Sequence, residues 1–185
     1  MKLESSRLLL KPIGKKDLEV LHGWRNEDEF LRLCSNRRKP VGFEEFVDEL
    51  NRDFDNDRHM QCVLLLKSSE EPVGTIYSYN LNLVDGYVFL TVYVSEECVG
   101  KGYGVEAVAI LASHYFEAYP IHKLYMDVYG YNKHSLSTIE RAGFGEEGRF
   151  KEHRFIGGQR YDLVRFAFYR NDLERLSGLI EKLKG

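Results

Sequence analysis

Apolar positions along the chain recur with two different periods, and the switches between them mark the elements. Arg7 to Pro12 reads as a short apolar strand, and Leu18, Leu21 and Trp24 repeat at three-residue spacing on a first helix. Phe43, Phe46, Val47, Leu50 and Phe54 place a second helix with one apolar face. The polar stretch between them, Arg25 to Val41, is longer than a plain connector and is read as a substrate loop or an ordinary exposed loop. Met60 to Lys67, Val73 to Asn82 and Tyr87 to Val94 are extended, and the Glu71-Pro72 step and the Asp85-Gly86 turn divide them into an antiparallel meander. A helix follows from Gly102, with Val105, Val108, Ala109, Ala112 and Phe116 on one face, and stops before Pro120. Lys123 to Tyr129 alternates like a strand. Asn132 then caps a helix with Leu136 and Ile139 buried, which Gly143 ends in the left-handed region. Strands at Gly148 to Phe155 and Gln159 to Tyr169 flank Gly157-Gly158. Asn171 to Lys184 closes the chain as a leucine-rich helix that packs on its own sheet or at a homodimer interface.

Composition narrows the function classes. A length of 185 residues suits one domain. With 26 Lys and Arg against 29 Asp and Glu, the net charge of -3 argues against a protein that tracks nucleic-acid phosphates. The longest apolar run, Ala107 to Ala112, falls far short of the roughly 20 residues that span a bilayer. Met1 to Glu4 begins no signal peptide, so the expected location is cytoplasmic, with no membrane partner. Cys34, Cys62 and Cys98 are scattered and lack the partners that a zinc site or thiolate catalysis needs; ordinary packing and no metal are expected.

The segment richest in chemistry is VGKGYG, Val99 to Gly104, between a strand and a helix. Glycines allow a tight turn and bring backbone amides near a ligand, and a helix N-terminus adds unpaired N–H donors with roughly half a positive charge. A Walker loop fails because Gly102 stands where Ser or Thr must bind magnesium. A Rossmann fingerprint fits poorly, since the spacing is GxGxG after a meander. A turn that only lets the helix pack tightly remains open on this hexapeptide.

The surrounding segments add to it. VSEECVGKGYGVEAV, HKLYMDV and NKHSLSTIERAGF, the last with Asn132, Ser135, Gly143 and Phe144 in step, resemble the GNAT superfamily of acetyl-CoA-dependent N-acetyltransferases. The late run GRFKEHRFIGGQRYDLVRFAFYRNDL and the early WRN, Trp24 to Asn26, look like its branch of ribosomal-protein N-alpha-acetyltransferases and spermidine N-acetyltransferases. The resemblance implies a single α/β domain over residues 1–170, with a mixed, mainly antiparallel sheet flanked by helices and splayed near the Val94 strand, and residues 171–185 as a terminal helix. It implies that Val99, Gly100, Lys101, Gly102, Tyr103 and Gly104 hold the acetyl-CoA diphosphate. Val94 would contact the pantetheine arm and offer an N–H to the thioester oxygen, and Asn132 would touch the cofactor. Val99 departs from the Gln or Arg usual there, and Ile139 stands where many relatives place a Tyr acid.

Moving an acetyl group onto nitrogen requires a neutral amine. Deprotonating an alkyl ammonium at pH 7 takes roughly 4.6 kcal/mol, against far less for an N-terminal amine. Ser135 is expected to serve the thiolate, with Tyr129 and Tyr131 in reserve. Glu152 is favoured as base over His153, on the opposite strand face, and Asp127. Glu27, Asp28, Glu29, Glu44, Glu45, Asp48 and Glu49 favour a cationic acceptor, whereas Arg37, Arg38 and Lys39 oppose one. The expected reaction is direct transfer to a primary amine, a protein N-terminus first. The alternatives are a small amine (polyamine, amino sugar or antibiotic) and a non-catalytic acyl-CoA-binding module.

Overall fold

Strand alternation sends successive side chains to opposite faces, and two apolar clusters result. Leu8, Leu10, Cys62, Leu64, Ile76, Val88 and Leu90 pack on one face; Val63 and Tyr93, on the same strands but odd in phase, pack on the other with Leu21, Trp24, Phe30, Phe46 and Leu50. The computed structural model describes residues 3–35, 39–175 and 178. Its elements run β1 (Leu8–Pro12), α1 (Leu18–Arg25), α2 (Asp28–Leu33), α3 (Phe43–Asn56), β2 (Arg58–Leu66), β3 (Pro72–Asn82), β4 (Tyr87–Val94), α4 (Tyr103–Ala118), β5 (Lys123–Tyr129), α5 (Lys133–Arg141), β6 (Gly145–Ile156) and β7 (Gln159–Tyr169).

The strands form one seven-stranded sheet in the order β1-β2-β3-β4-β5-β7-β6. All neighbours are antiparallel except β4 and β5, which run parallel across the α4 crossover. This is the expected mixed, mainly antiparallel α/β domain. Burying each large aliphatic or aromatic side chain contributes about 1.5–3 kcal/mol, and α4, with Ala107 to Ala112 all buried, supplies much of the main core.

The β4–β5 ladder is short. It joins Tyr87 to Lys123, Val88 to Leu124 and Phe89 to Tyr125, then stops, although both strands continue to Val94 and Tyr129. Beyond Phe89 the two strands diverge, and a gap opens in the middle of the sheet. β4 is held to β3 instead, with Gly74 opposite Val94. A Cβ at Gly74 would run into the Tyr93 carbonyl oxygen and lie 3.0 Å from the Val94 Cα, so only a hydrogen fits there.

Three expectations need correction. The segment Arg25 to Val41 is not a plain loop: it contains α2, where Asp28 and Glu29 suit the electropositive first turn and Phe30 and Leu31 are buried. In β6, residues 151–153 lie between the pairs Phe150–Leu163 and Arg154–Tyr161, opposite Asp162 alone, so strict alternation fails there. The terminal helix begins as a 3₁₀ turn over Arg170–Asp172, and Leu173 packs on the main core. Leu176, Ser177 and residues 179–185 of that expectation lie outside the described residues, as do Arg37 and Arg38.

Gly74→Ala forces β4 away from β3 at its Val94 end. The expected loss is about 2 kcal/mol, roughly 6 °C in the midpoint of thermal unfolding followed by circular dichroism.

Candidate active site

The glycine loop lies where β4 ends. Gly102 caps α4 in the left-handed region at φ +82°, and Gly100 is also left-handed at φ +85°. A Cβ at Gly104 would be 3.5 Å from Val94 Cγ2, so the first turn of α4 rests directly on the end of β4. Val99 N–H already donates to the Glu96 carbonyl at 3.3 Å, which takes it out of the expected donor set. Glu106 N–H donates to Gly102 O at 3.1 Å. Between them, the N–H groups of residues 100–105 have no backbone acceptor among the described residues. Gly100 and Lys101 are exposed, and Val99, 51% exposed, offers no polar side chain in place of the family's Gln or Arg. Such a run of free amides at a helix N-terminus fits a diphosphate.

The loop is anchored from the far edge of the sheet. Glu106, 1% exposed in the first turn of α4, accepts from Arg7 Nε at 2.8 Å and Arg7 Nη2 at 2.5 Å, and from the Ser5 hydroxyl. Arg7 Nη1 also donates to the Lys101 carbonyl at 3.2 Å, and its guanidinium lies 5.0 Å from the Tyr103 ring centre. A buried carboxylate left alone there would repel an anionic ligand. With Arg7 paired, the positive end of the helix is preserved, and losing Arg7 would leave the buried Glu106 carboxylate uncompensated at a cost of about 3–5 kcal/mol.

Across the gap, Ser95 N–H donates to Val73 O at 2.9 Å on the β3 side. Strand alternation therefore turns the N–H and C=O of Val94 toward the side where β5 has departed. Asn132 caps α5 just beyond β5, its Oδ1 accepting from Ser135 N–H at 3.0 Å, and Ser135 is half-buried in the first turn. Ile139 is buried in the core and carries no acid. Tyr129 and Tyr131 stack at 5.5 Å, and the Tyr131 hydroxyl donates to the Arg32 carbonyl.

On the other face of the sheet lies a cavity of about 730 Å³. Phe30 and Leu33 of α2, Phe46 and Glu49 of α3, Tyr77 and Tyr79 of β3 and Thr91 of β4 line it, with Asp127 and Tyr129 of β5 completing the wall beside the gap. Burial pushes the Tyr77 and Tyr79 phenols up, so both are neutral donors at physiological pH. The α1–α2 layer is tied down by Tyr93, whose hydroxyl donates to Glu27, and by Arg154, which donates to the Ser35 carbonyl at 2.7 Å. Asn26 closes the segment with two bonds of 2.9 Å to the Val41 backbone.

The base candidates separate. Glu152 sits at φ +53° in the β6 bulge, exposed and off the cavity wall, its N–H donating to Asp162 Oδ1 at 3.0 Å. That N–H, with Arg149, holds the Asp162 carboxyl below the usual carboxylate range. His153 lines the cavity, 5.9 Å from the Phe150 ring. Asp127 is gripped by Arg165 through two bonds of 2.8 Å. Tyr77, Tyr79 and Arg165 were not singled out from the sequence, and Arg25 only as part of WRN, although the i, i+2 spacing of the two tyrosines signals a shared face.

Residues 7–145 match the family model described as Acetyltransferase (GNAT) domain. The chain belongs to the GNAT family. It is an acetyltransferase, and acetyl-CoA is the acyl donor that the family assignment carries. The spermidine N(1)-acetyltransferase of Escherichia coli strain K12 is 24% identical over 164 residues, 88% of this chain and 86% of that one. A crystal structure of spermidine N-acetyltransferase from Vibrio cholerae, in complex with CoA and spermine, superposes with a TM-score of 0.82 at 22% identity, covering 92% of this chain and 99% of that chain. A GNAT acetyltransferase from Bacillus anthracis superposes at 0.77 with 19% identity, over 92% and 99%. At these identities the structural matches speak for the fold alone. Among the described residues no helix is long and apolar enough to cross a membrane, and no group of three or more His, Cys, Asp or Glu could hold a metal.

Two outcomes are expected. Gly102→Ala places a side chain in the left-handed region at a strain of about 1–2 kcal/mol, and raises the KM for acetyl-CoA roughly tenfold. Burial pushes the Cys34 and Cys62 thiols up to about 12. A disulfide reagent at pH 8 therefore titrates half-exposed Cys98 first in the native protein, half-exposed Cys34 more slowly because its thiol stays protonated, and buried Cys62 only once the chain is denatured.

Proposed function

We propose that the protein acetylates the primary amine of a small molecule, which occupies the cavity walled by α1, α2, α3 and the β3–β5 face. The observation that carries this reading is the cavity itself. The α1–α2 layer walls one side of this half-open cavity, and its volume of about 730 Å³ lies within the few hundred to 1,000 Å³ of small-ligand sites. The names of the relatives favour a small amine over a protein N-terminus, since those of Escherichia coli and Vibrio cholerae act on spermidine by name.

In this reading the amides of residues 100–105 bind the diphosphate, and the gap beyond Phe89 admits the pantetheine arm toward Val94. Val94 N–H, free of β3 and fixed by the sheet, meets the thioester oxygen as negative charge develops there, with no reorganisation. The amine enters from the cavity and forms the new C–N bond as the C–S bond breaks. Its proton leaves by way of His153 or water, and the departing sulfur takes a proton near Ser135. His153 replaces Glu152 as the favoured base because it is the one of the two on the cavity wall.

The check is release of free CoA from acetyl-CoA, followed with a thiol reagent, for spermidine, amino sugars, amino acids and short peptides with free N-termini. Turnover of at least one small amine, with rates rising from pH 7 to 9 as the ammonium deprotonates, is expected. Peptides as the only acceptors would return the reading to a protein N-terminus.

A further inference from the structure

We infer that the acceptor is a zwitterion: a small primary amine that also carries a carboxylate, which Arg25 holds. This rests on the small-amine reading and narrows it. The first support is the charge balance of the cavity. Its described wall carries four carboxylates, Glu49, Asp53, Asp57 and Asp127, and four guanidiniums, Arg25, Arg52, Arg58 and Arg165. Three of the carboxylates already face a guanidinium: Asp53 with Arg58 at 2.6 Å, Asp127 with Arg165 at 2.8 Å, and Glu49 with Arg25 at 3.4 Å. A polycation gains most from carboxylates that are not already neutralised, and this wall supplies no excess of them. A molecule carrying both signs matches it.

Arg25 and Arg58 each have a buried N–H without an acceptor on this wall, but Arg58 is held by Asp53 at 2.6 Å and by Gln61, which leaves the negative group to Arg25. Its side chain is 10% exposed, its bond to Glu49 is long for a charge-assisted pair, and its Nη1 is buried without an acceptor. A buried guanidinium N–H without a partner is costly, and a carboxylate accepting two parallel N–H bonds is the group that best matches its fork. The position is right for the chemistry. Arg25 follows Trp24, whose ring lies 6.3 Å from that of Tyr93, and Tyr93 hydrogen-bonds Glu27 two residues on. Arg25 lines the same cavity as Thr91 of β4 and Asp127 and Tyr129 of β5, the two strands that flank the gap through which the amine would meet the thioester. Phe30, Phe46, Tyr77 and Tyr79 leave room for an apolar or aromatic body, with the Arg58 guanidinium 4.1 Å above the Tyr77 ring centre.

The test compares L-phenylalanine, phenethylamine and spermidine as acceptors at saturating acetyl-CoA. Phenethylamine is phenylalanine without its carboxylate. Phenylalanine is expected to show a kcat/KM roughly tenfold or more above either of the others, expressed in KM, because an unpaired site rejects the analogue lacking the group. Arg25→Lys, which keeps the charge beside Glu49 and loses the fork, and Arg25→Met should each collapse the phenylalanine-to-phenethylamine ratio toward one, with circular dichroism melts confirming that the variants fold. Spermidine or phenethylamine turning over as well as phenylalanine would overturn the zwitterion while leaving the small-amine reading standing. An unchanged ratio in both variants would remove Arg25 from recognition. Binding of acetyl-CoA by calorimetry with no small amine acetylated would take down the small-amine reading and this inference together.

Discussion

Everything at the site depends on where the β4–β5 ladder stops. Three parallel residue pairs hold the two halves of the sheet together, and past Phe89 each strand follows a different neighbour. A sheet normally satisfies its backbone groups sideways, so two strands parting in its middle leave donors and acceptors that want a partner. The divergence is enforced from both sides. Gly74 lets β3 draw β4 in closer than any side chain would permit, and α4, its first turn at Val94, packs against the same strand. The opening therefore comes from rigid packing, and the amide at its edge is held in place before any ligand arrives.

The wall on the other face is assembled differently. Grease anchors it through Trp24, Phe30 and Tyr93, but its edges are sewn by polar side chains to carbonyl oxygens: Arg154 to Ser35, Tyr131 to Arg32, Asn26 to Val41. Such bonds are directional, so they fix shape more sharply than apolar contact alone. Within this wall Arg25 and Glu49 are nearly buried, at side-chain exposures of 10% and 13%, where charge arrangement has more say in selecting a ligand than it would in water.

Much of this was legible in the chain. Order and type of the long elements followed from periodicity, and the glycine loop and the Asn132 cap from residue chemistry. Short or irregular pieces were hidden for physical reasons. α2 is only six residues long, too brief for a helical period to declare itself among charged neighbours. The β6 bulge breaks the rule of two that assigned Glu152 and His153 to opposite faces, because residues 151–153 share Asp162 as their single counterpart. Phe150 and His153 thus both reach the cavity at an interval of three. The partnerships of Arg7 with Glu106 and Arg165 with Asp127 join positions 99 and 38 residues apart, a separation that no local pattern encodes.

The tie from Arg7 to α4 has a dynamic corollary. Arg7 immediately precedes β1, the outermost strand on its side, which meets the sheet through β2 alone apart from a small turn back onto residues 3–5. Outer strands fray first. Whenever this margin peels away, Lys101 and the buried carboxylate of α4 lose their clasp in the same event, so looseness at the rim and looseness of the glycine loop become one motion.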